Sequence, residues 1–289
     1  MNIREDIKEK GENIFSEDNF GEQKRLQAQQ SLLYNFDMGV FSSYLSKDRT
    51  INILDLGCNN GETSLAIFRN FKIGKYVGID ILSFSDRREG NVYFYSLDLE
   101  GEDFENNLKA IMQERKINKF DVVNCLALLA HIKNPIKLFQ IIKKYCSENC
   151  MIFIRNIDDG FNVTYGCKNI EKGLSFLNKT KFTGFRYSAR QIPNILSKAG
   201  IDDFFLVKKG IDNVGMSDTD KINLFHTIFD FILNSLRKEK EVGSISKENT
   251  KRLDWLEKNY TKLETEFLDR SLFINFGFLF YVARVHNER

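Results

Sequence analysis

Three aspartates stand where predicted β-strands end, and they are the residues best suited to bind a small polar ligand. Asp55 lies in the glycine-bearing turn DLGCNNG (residues 55–61), Asp80 closes the run VGID, and Asp98 follows a third apolar run. A carboxylate two positions before the first glycine suits a ligand that carries an amine. Asp80 can accept both hydroxyls of a ribose, and Asp98 can accept from the exocyclic amine of adenine. Three acids at three successive strand ends therefore predict one ligand site.

The predicted elements explain how these aspartates come together. Strands are expected at residues 51–56, 75–80, 92–97, 120–126, 151–154, 204–208 and 271–285, and helical patterns separate most of them. Alternating strands and helices imply right-handed crossovers. We therefore predict a doubly wound α/β fold with a mostly parallel seven-stranded sheet, helices on both faces and an added helical cap. Ligands of such sheets bind at the carboxyl ends of the strands.

The composition of the chain argues against nucleic acids and membranes as binding partners. The 289 residues include 42 Lys+Arg and 40 Asp+Glu, so the formal net charge is +2, which gives no overall attraction for a phosphate backbone. No apolar stretch reaches the roughly 18 to 20 residues of a membrane helix. Five cysteines, an odd number without tight paired spacing, suit reduced thiols. We expect a cytoplasmic protein without nucleic-acid or membrane partners.

The domain organisation follows from changes in the pattern along the chain. Residues 1–48 are expected to form an N-terminal arm and amphipathic lid helices. Residues 49–210 and 270–289 are expected to form the α/β domain. Residues 211–269 read as a helical pair inserted between two strands that would otherwise form a hairpin.

The spacing of the glycine turn separates two kinds of nucleotide site. A dinucleotide fold would show Gly-x-Gly-x-x-Gly, which is absent here, so a nicotinamide oxidoreductase is disfavoured. The turn instead reads acidic-x-Gly-x-Asn-x-Gly, and from about Leu26 to Ala199, with the closing strand near Phe278, the chain resembles class I S-adenosylmethionine-dependent methyltransferases. In that family the middle position is glycine. Asn59 is a mild departure, because asparagine tolerates a left-handed backbone.

The resemblance implies S-adenosylmethionine as the cofactor and S-adenosylhomocysteine as its product. The glycine turn would wrap the methionine part, Asp80 would hold the ribose, Asp98 with Leu99 would frame the adenine, and residues 124–126 would flank the sulfonium. The implied cofactor-binding residues are Asp55, Gly57, Cys58, Asn59, Gly61, Asp80, Ile81, Asp98, Leu99, Asn124, Cys125 and Leu126.

His131 is the candidate catalytic residue. It follows the fourth predicted strand, at the rim toward which the methyl group would point, and it resembles a histidine found there in many small-molecule methyltransferases. An imidazole can act as a base near neutral pH. The alternative is that His131 caps the following helix or bonds a backbone group.

Charged and aromatic side chains on the long segment after the fifth strand have the composition of an acceptor pocket. Arginine offers a bidentate fork to a carboxylate or phosphate. Asp158 and Asp159 also form a good turn sequence with Gly160, and no metal is expected there because a third ligand is not evident. The candidate acceptor-binding residues are Tyr34, Arg155, Asp158, Asp159, Tyr165, Arg186 and Tyr187.

These observations predict a methyltransferase that acts on an oxygen or nitrogen of a small molecule, as a monomer or homodimer. RNA or protein methylation is the first alternative and would require a basic groove, against which the charge balance argues. A module that binds the cofactor or its product without chemistry is the second alternative.

Overall fold

The computed structural model describes residues 20–82, 88–180 and 184–286, so most of the predicted N-terminal arm lies outside the described residues. The chain divides into two compact units. The sheet unit comprises Asp37–Phe161, Phe185–Gly210 and Gly277–Arg289. The helical unit comprises Met1–Phe36, Asn162–Gly184 and Ile211–Phe276.

The described residues contain one nine-stranded sheet, with the order β3-β4-β2-β1-β5-β6-β9-β7, in which β8 also pairs with β9. The strands are β1 (Ile51–Leu56), β2 (Ile73–Asp80), β3 (Arg88–Glu89), β4 (Val92–Ser96), β5 (Phe120–Leu126), β6 (Cys146–Ile157), β7 (Val163–Tyr165), β8 (Asp203–Asp212) and β9 (Phe273–Val285). The five strands β4, β2, β1, β5 and β6 are parallel, and β9 runs antiparallel to β6.

The predicted α/β fold class and the mostly parallel sheet are confirmed. All seven expected strands are present. Two further strands, β3 and β7, were not predicted. They have two and three residues and are too short to produce a periodic pattern.

Eight α-helices occur within the described ranges. They are α1 (Phe20–Tyr44), α2 (Glu62–Phe68), α3 (Phe104–Glu114), α4 (Pro135–Lys143), α5 (Lys168–Leu174), α6 (Ile192–Lys198), α7 (Asp218–Glu241) and α8 (Lys247–Phe267). The expected start of α4 is confirmed, because the Asn134 side chain accepts from Lys137 N at 3.1 Å and Pro135 takes the first helical position. No helix in the described ranges combines the length and apolar character that a membrane crossing requires.

Strand β6 shows how the sheet unit buries both of its faces. Ile152 and Ile154 join the core formed with helices α3, α4 and α6. Phe153 lies between them on the opposite face and stacks on Phe41 of α1, with ring centroids 4.2 Å apart. Successive side chains of a strand point to opposite faces, so an uninterrupted apolar run signals a strand covered on both sides.

The helical unit has an aromatic core of its own. Phe225 and Phe229 of α7 stack with centroids 4.8 Å apart, and both contact the Phe267 ring at the end of α8. Ser217 and Ser246 cap α7 and α8 by accepting from the backbone N–H three residues on. Helices α7 and α8 lie between β8 and β9 along the chain, and the expected domain boundaries stay a prediction.

Candidate active site

The glycine turn has the left-handed backbone that its sequence demands. The φ angles of Gly57, Asn59 and Gly61 are 67°, 50° and 79°. A Cβ atom on Gly57 would lie 2.7 Å from Leu128 Cδ1, and one on Gly61 would lie 2.2 Å from Phe94 Cε1. Asn59 adopts the expected left-handed conformation, and its Oδ1 accepts from the next backbone N–H at 2.6 Å. Both glycines are therefore required for two reasons, conformation and space.

The end of β2 holds this turn in place. The backbone N–H groups of Gly57 and Cys58 donate to Ile79 O at 2.8 and 3.2 Å. The Asp80 carboxylate accepts from Asn59 N at 2.8 Å through Oδ2 and from Leu82 N at 3.0 Å through Oδ1. Burial raises the pKa of Asp80, although these backbone hydrogen bonds oppose the shift. The backbone N–H of Ile81 also bonds this carboxylate, and its remaining lone pair can accept from a ligand hydroxyl.

Asp55 lies inside the protein, where both carboxylate oxygens accept from protein groups. It is 1% exposed, Tyr76 donates its hydroxyl to Oδ2, and Asn124 Nδ2 donates to Oδ1 at 2.7 Å. Asn124 Nδ2 also lies 3.1 Å from Ser64 Oγ on α2. Burial raises the pKa of the Asp55 carboxyl to about 6, against the lowering effect of its hydrogen bonds. Asp55 therefore belongs to an internal network, and its expected contact with a ligand amine stays a prediction.

The segment after β4 contains the predicted adenine-side residues. Asp98 is half-buried and its Oδ1 accepts from Glu100 N at 3.1 Å. Leu99 is buried, whereas Ile81, after β2, is 46% exposed. The pairing of Asp80 with Ser96 between β2 and β4 brings these two strand ends side by side.

The segment after β5 reaches the same edge and includes His131. Its Leu128 side chain covers Gly57, as described above. Glu100 Oε1 accepts from Lys133 N at 2.7 Å and from Asn134 N at 2.9 Å, which links the segments after β4 and β5. His131 is half-buried and ends a short 3₁₀ turn, Leu129–His131. The structure therefore brings His131 to the edge of the sheet unit that carries the glycine turn and Asp80.

The residues at the end of β5 combine burial with backbone strain. Asn124 and Cys125 are buried, and burial raises the pKa of the Cys125 thiol, so that it stays protonated at neutral pH. Leu126 is partly exposed. Ala127 follows with φ of 59°, a left-handed conformation that is uncommon for alanine, and its N–H donates to Arg155 O at 2.7 Å.

Three arginine–aspartate pairs involve residues of β6 or of the segments that follow it. Arg155 donates to both oxygens of Asp37 on α1, each at 3.0 Å. Arg186 donates to both oxygens of Asp159 at 2.7 and 2.9 Å. Arg190 donates through Nε and Nη2 to Asp158, which is fully buried. Four of the predicted acceptor-binding residues, Arg155, Asp158, Asp159 and Arg186, are thus engaged in bidentate internal pairs.

The sequence reasoning missed Asp37 and Arg190, the partners in two of these pairs. Asp37 lies beside Val40 and Phe41 on the buried face of α1, and an acidic residue on such a face signals a buried cation partner. Among the remaining acceptor candidates, Tyr187 is 36% exposed, and its ring lies 6.1 Å from that of Phe185, which is 49% exposed. Phe185 N donates to Ala130 O at 2.8 Å, directly beside His131.

Tyr34 and Tyr165 belong to the helical unit. Tyr34 is half-buried on α1, and Tyr165 is 76% exposed on β7. Their predicted contact with an acceptor stays a prediction. Within the ranges that the structure describes, no group of three or more His, Cys, Asp or Glu side chains is arranged to hold a metal ion.

Known proteins resemble this chain in sequence and in structure. A protein-family model described as "Methyltransferase domain" matches residues 27–203. An uncharacterized protein of Methanocaldococcus jannaschii, MJ0906, is 27% identical over 176 residues, which cover 58% of this chain and 45% of that protein. The chain therefore spans less than half the length of this curated relative.

Two solved structures illustrate the structural likeness. A phosphoethanolamine N-methyltransferase 2 of Haemonchus contortus has 15% identity and a TM-score of 0.49, covering 90% of this chain and 56% of that chain. The cyclopropane synthase MmaA2 of Mycobacterium tuberculosis has 13% identity and a TM-score of 0.45, covering 86% of this chain and 82% of that chain.

The family match covers more than half of the 289 residues, and it includes the glycine turn, Asp80, Asp98 and His131. The resemblance that the turn indicates from sequence is confirmed: the chain belongs to the methyltransferase-domain family, whose class I members use S-adenosylmethionine.

Proposed function

We propose that this protein transfers the methyl group of S-adenosylmethionine to an oxygen or nitrogen atom of a small-molecule acceptor. One observation carries the proposal: the glycine turn, Asp80, Asp98 and His131 meet at one edge of the sheet unit, linked by hydrogen bonds from Asn59 to Asp80 and from Lys133 to Glu100. Ligands of open α/β sheets bind at such an edge.

The residues at this edge fit the cofactor. Leu128 and Phe94 pack against the two glycines and hold the turn in its left-handed path, along which the methionine moiety would lie. Asp80 would accept from the ribose hydroxyls. Ile81, Asp98 and Leu99 would frame the adenine. When bound, S-adenosylmethionine supplies a methyl group on a positively charged sulfur that is already activated for displacement.

His131 is proposed as the base that removes the acceptor proton. Its ring nitrogen would take the proton as the acceptor oxygen or nitrogen attacks, while the surrounding segments hold the acceptor in line. Phe185 and Tyr187 stand next to this segment with exposed rings, so they would cover the apolar part of an acceptor. Arg155, Arg186 and their aspartates would shape the pocket wall, because their charges are already paired.

The test begins with calorimetric titration of S-adenosylhomocysteine. The protein is then incubated with methyl-labelled S-adenosylmethionine and separate cell-extract fractions that contain small molecules, RNA or protein. Label in the small-molecule fraction supports the proposal, and label in RNA or protein overturns the acceptor class. Binding without label in any fraction supports the alternative of a non-catalytic module. Failure to bind the cofactor product overturns the function as a whole.

We also propose that the protein acts in the cytoplasm. All five cysteines are free thiols, which suits the reducing cytoplasm. The near-zero charge balance continues to favour a small-molecule acceptor over nucleic acid. Measurement of the chain's mass in solution distinguishes the expected monomer from the expected homodimer.

A further inference from the structure

We infer that Tyr76 and Asn124 are positioning residues for cofactor binding: they hold the Asp55 carboxylate, and this network fixes both ends of the glycine turn. The inference rests on the proposed function, because it assigns a role to residues that support the turn without contacting a ligand themselves.

The network joins four elements that meet around the turn. Asp55 lies one residue before the end of β1 and pairs in register with Gly78 of β2 and Asn124 of β5. Tyr76 reaches Asp55 from β2, and Ser64 reaches Asn124 from α2. The turn lies between Asp55 and Ser64 along the chain. Its entry and its exit are therefore tied to one carboxylate through donors on the two flanking strands.

The donors act on a carboxylate that is costly to keep ionised. Tyr76 is fully buried, and its ring packs between Phe68 and Phe94, with centroid distances of 6.2 and 5.7 Å. Asn124 is 1% exposed. Both are neutral donors, so they stabilise the ionised carboxylate by hydrogen bonds alone. Burial of a phenol hydroxyl without an acceptor destabilises the folded state. The Asp55 carboxylate supplies that acceptor, so a buried tyrosine is tolerated at this position.

Protonation of Asp55 would weaken this network. An added proton occupies a lone pair of one oxygen and makes that oxygen a poorer acceptor for Tyr76 or Asn124. The other titratable groups nearby are Tyr76 and Asp80 from β2 and Cys125 from β5, and Cys58 of the turn faces Tyr76. Burial raises the pKa values of Tyr76 and Cys125, so both stay neutral, whereas the Asp80 charge disfavours ionised Asp55. The ionised form of Asp55 is the one that fits the network.

The decisive variant is Tyr76→Phe, which removes one hydroxyl and keeps the ring. Calorimetry with S-adenosylhomocysteine between pH 5 and pH 8 is the measurement. We expect the dissociation constant to rise about tenfold at neutral pH, the size of one net hydrogen bond to a charged group. We also expect wild-type affinity to fall on acidification, and the midpoint of this fall to move to higher pH in Tyr76→Phe, because a lost donor raises the pKa of Asp55 further.

Tyr93→Phe is the matched control. Tyr93 is a buried tyrosine on the neighbouring strand β4, where its hydroxyl lies 3.4 Å from Lys75 Nζ rather than in the network. The Tyr93→Phe variant should bind S-adenosylhomocysteine with the wild-type affinity, and its affinity should fall at the wild-type pH midpoint. Ser64→Ala is the second test variant, since it removes one hydroxyl that contacts Asn124, Asp55 and Tyr76 and keeps the buried packing.

The outcomes separate the two proposals. Wild-type protein that does not bind S-adenosylhomocysteine overturns the proposed function. Wild-type binding together with an unchanged constant and midpoint in Tyr76→Phe overturns the positioning role alone. If Tyr76→Phe fails to fold, as judged by circular dichroism, Ser64→Ala decides: a weakened affinity with a raised midpoint supports the role, and wild-type behaviour overturns it.

Discussion

The backbone N–H of Asn59 donates a 2.8 Å hydrogen bond to Oδ2 of Asp80, so the end of β2 holds the left-handed residue of the glycine turn. One carboxylate therefore fixes the turn and, under the proposed function, also receives the ribose. The two tasks use different lone pairs of the same side chain.

Replacing Asp80 should weaken cofactor binding more than it weakens the fold. Asp80→Asn turns one acceptor oxygen into a donor, which faces either Asn59 N–H or Leu82 N–H. We expect the dissociation constant of S-adenosylhomocysteine to rise about 10- to 100-fold, since a hydrogen bond to a charged group contributes about 1.5–3 kcal/mol. Asp103→Asn is the calorimetric control, because Asp103 is an exposed residue whose side chain makes no cap bond to α3. Equal affinities in the two variants would contradict a binding role for Asp80.

Two glycines with positive φ allow the steric demand of the turn to be measured. A Cβ on Gly61 (φ 79°) would lie 2.2 Å from Phe94 Cε1, whereas a Cβ on Gly90 (φ 60°) meets nothing within 4 Å. Gly90→Ala should lose about 1–2 kcal/mol of unfolding free energy through backbone strain alone. Gly61→Ala should lose a further 1–3 kcal/mol through overpacking. Urea denaturation compares them, and equal losses would show that Phe94 moves aside without cost.

The proposed base can be separated from the cofactor site. His131→Ala should lower the rate of label transfer by about 10²- to 10⁴-fold while calorimetry shows unchanged S-adenosylhomocysteine binding. His286→Ala serves as the control, because His286 is an exposed residue that pairs with Asp203 on β8. A His131→Ala variant that loses cofactor binding in the same proportion as transfer would instead indicate that the side chain supports the cofactor site.

The buried Arg155–Asp37 pair should contribute far more to stability than a surface pair of the same type. Arg155→Met leaves the Asp37 carboxylate buried without its cation, at a cost of about 3–5 kcal/mol. Burial already raises the pKa of Asp37, and Arg155 opposes that shift. Arg49→Met is the control: Arg49 also pairs with an aspartate, Asp121, but its side chain is 61% exposed, so its loss should cost less than about 1 kcal/mol. Thermal unfolding of both variants measures the difference.

Asp55 should make the fold more stable in mild acid. Its pKa of about 6 in the folded protein exceeds the unfolded value near 3.8, so the folded state binds the proton first as the pH falls. Between pH 7.5 and pH 5 the wild type should gain about 1 kcal/mol of unfolding free energy from this group, most of it below pH 6. Asp55→Asn should lack this gain. Urea denaturation of both proteins at the two pH values measures it, and parallel curves would contradict the raised pKa.

The strands, the conformation of the glycine turn and the helix cap could be predicted from the sequence, because each depends on residues that are close together in the chain. The seven strands, the left-handed Asn59 and the Asn134 cap each depend on a few neighbouring residues. The short strands β3 and β7 could not be predicted, since their pairing is imposed by β4 and β9.

The charge pairs of the site depend on tertiary contacts and were not predictable in detail. Arg155 and Asp37 are 118 positions apart, so no sequence spacing links them. The burial of Asp55 had a usable signal: an aspartate inside the apolar run INILDL of a central strand faces the interior, and Tyr76 in the adjacent predicted strand needs a buried acceptor. The sequence alone does not show that Asp55 is enclosed by Tyr76 and Asn124 whereas Asp80 bonds the backbone of the turn.

The left-handed backbone of Ala127 limits which residue types this position can accept during evolution. Glycine, asparagine or aspartate would relieve or tolerate a φ of 59°, whereas valine, isoleucine and threonine would force the chain between β5 and His131 into another path. In a library of all substitutions at residue 127, the surviving methyltransferases should therefore carry small or amide-bearing side chains, and the β-branched ones should be missing.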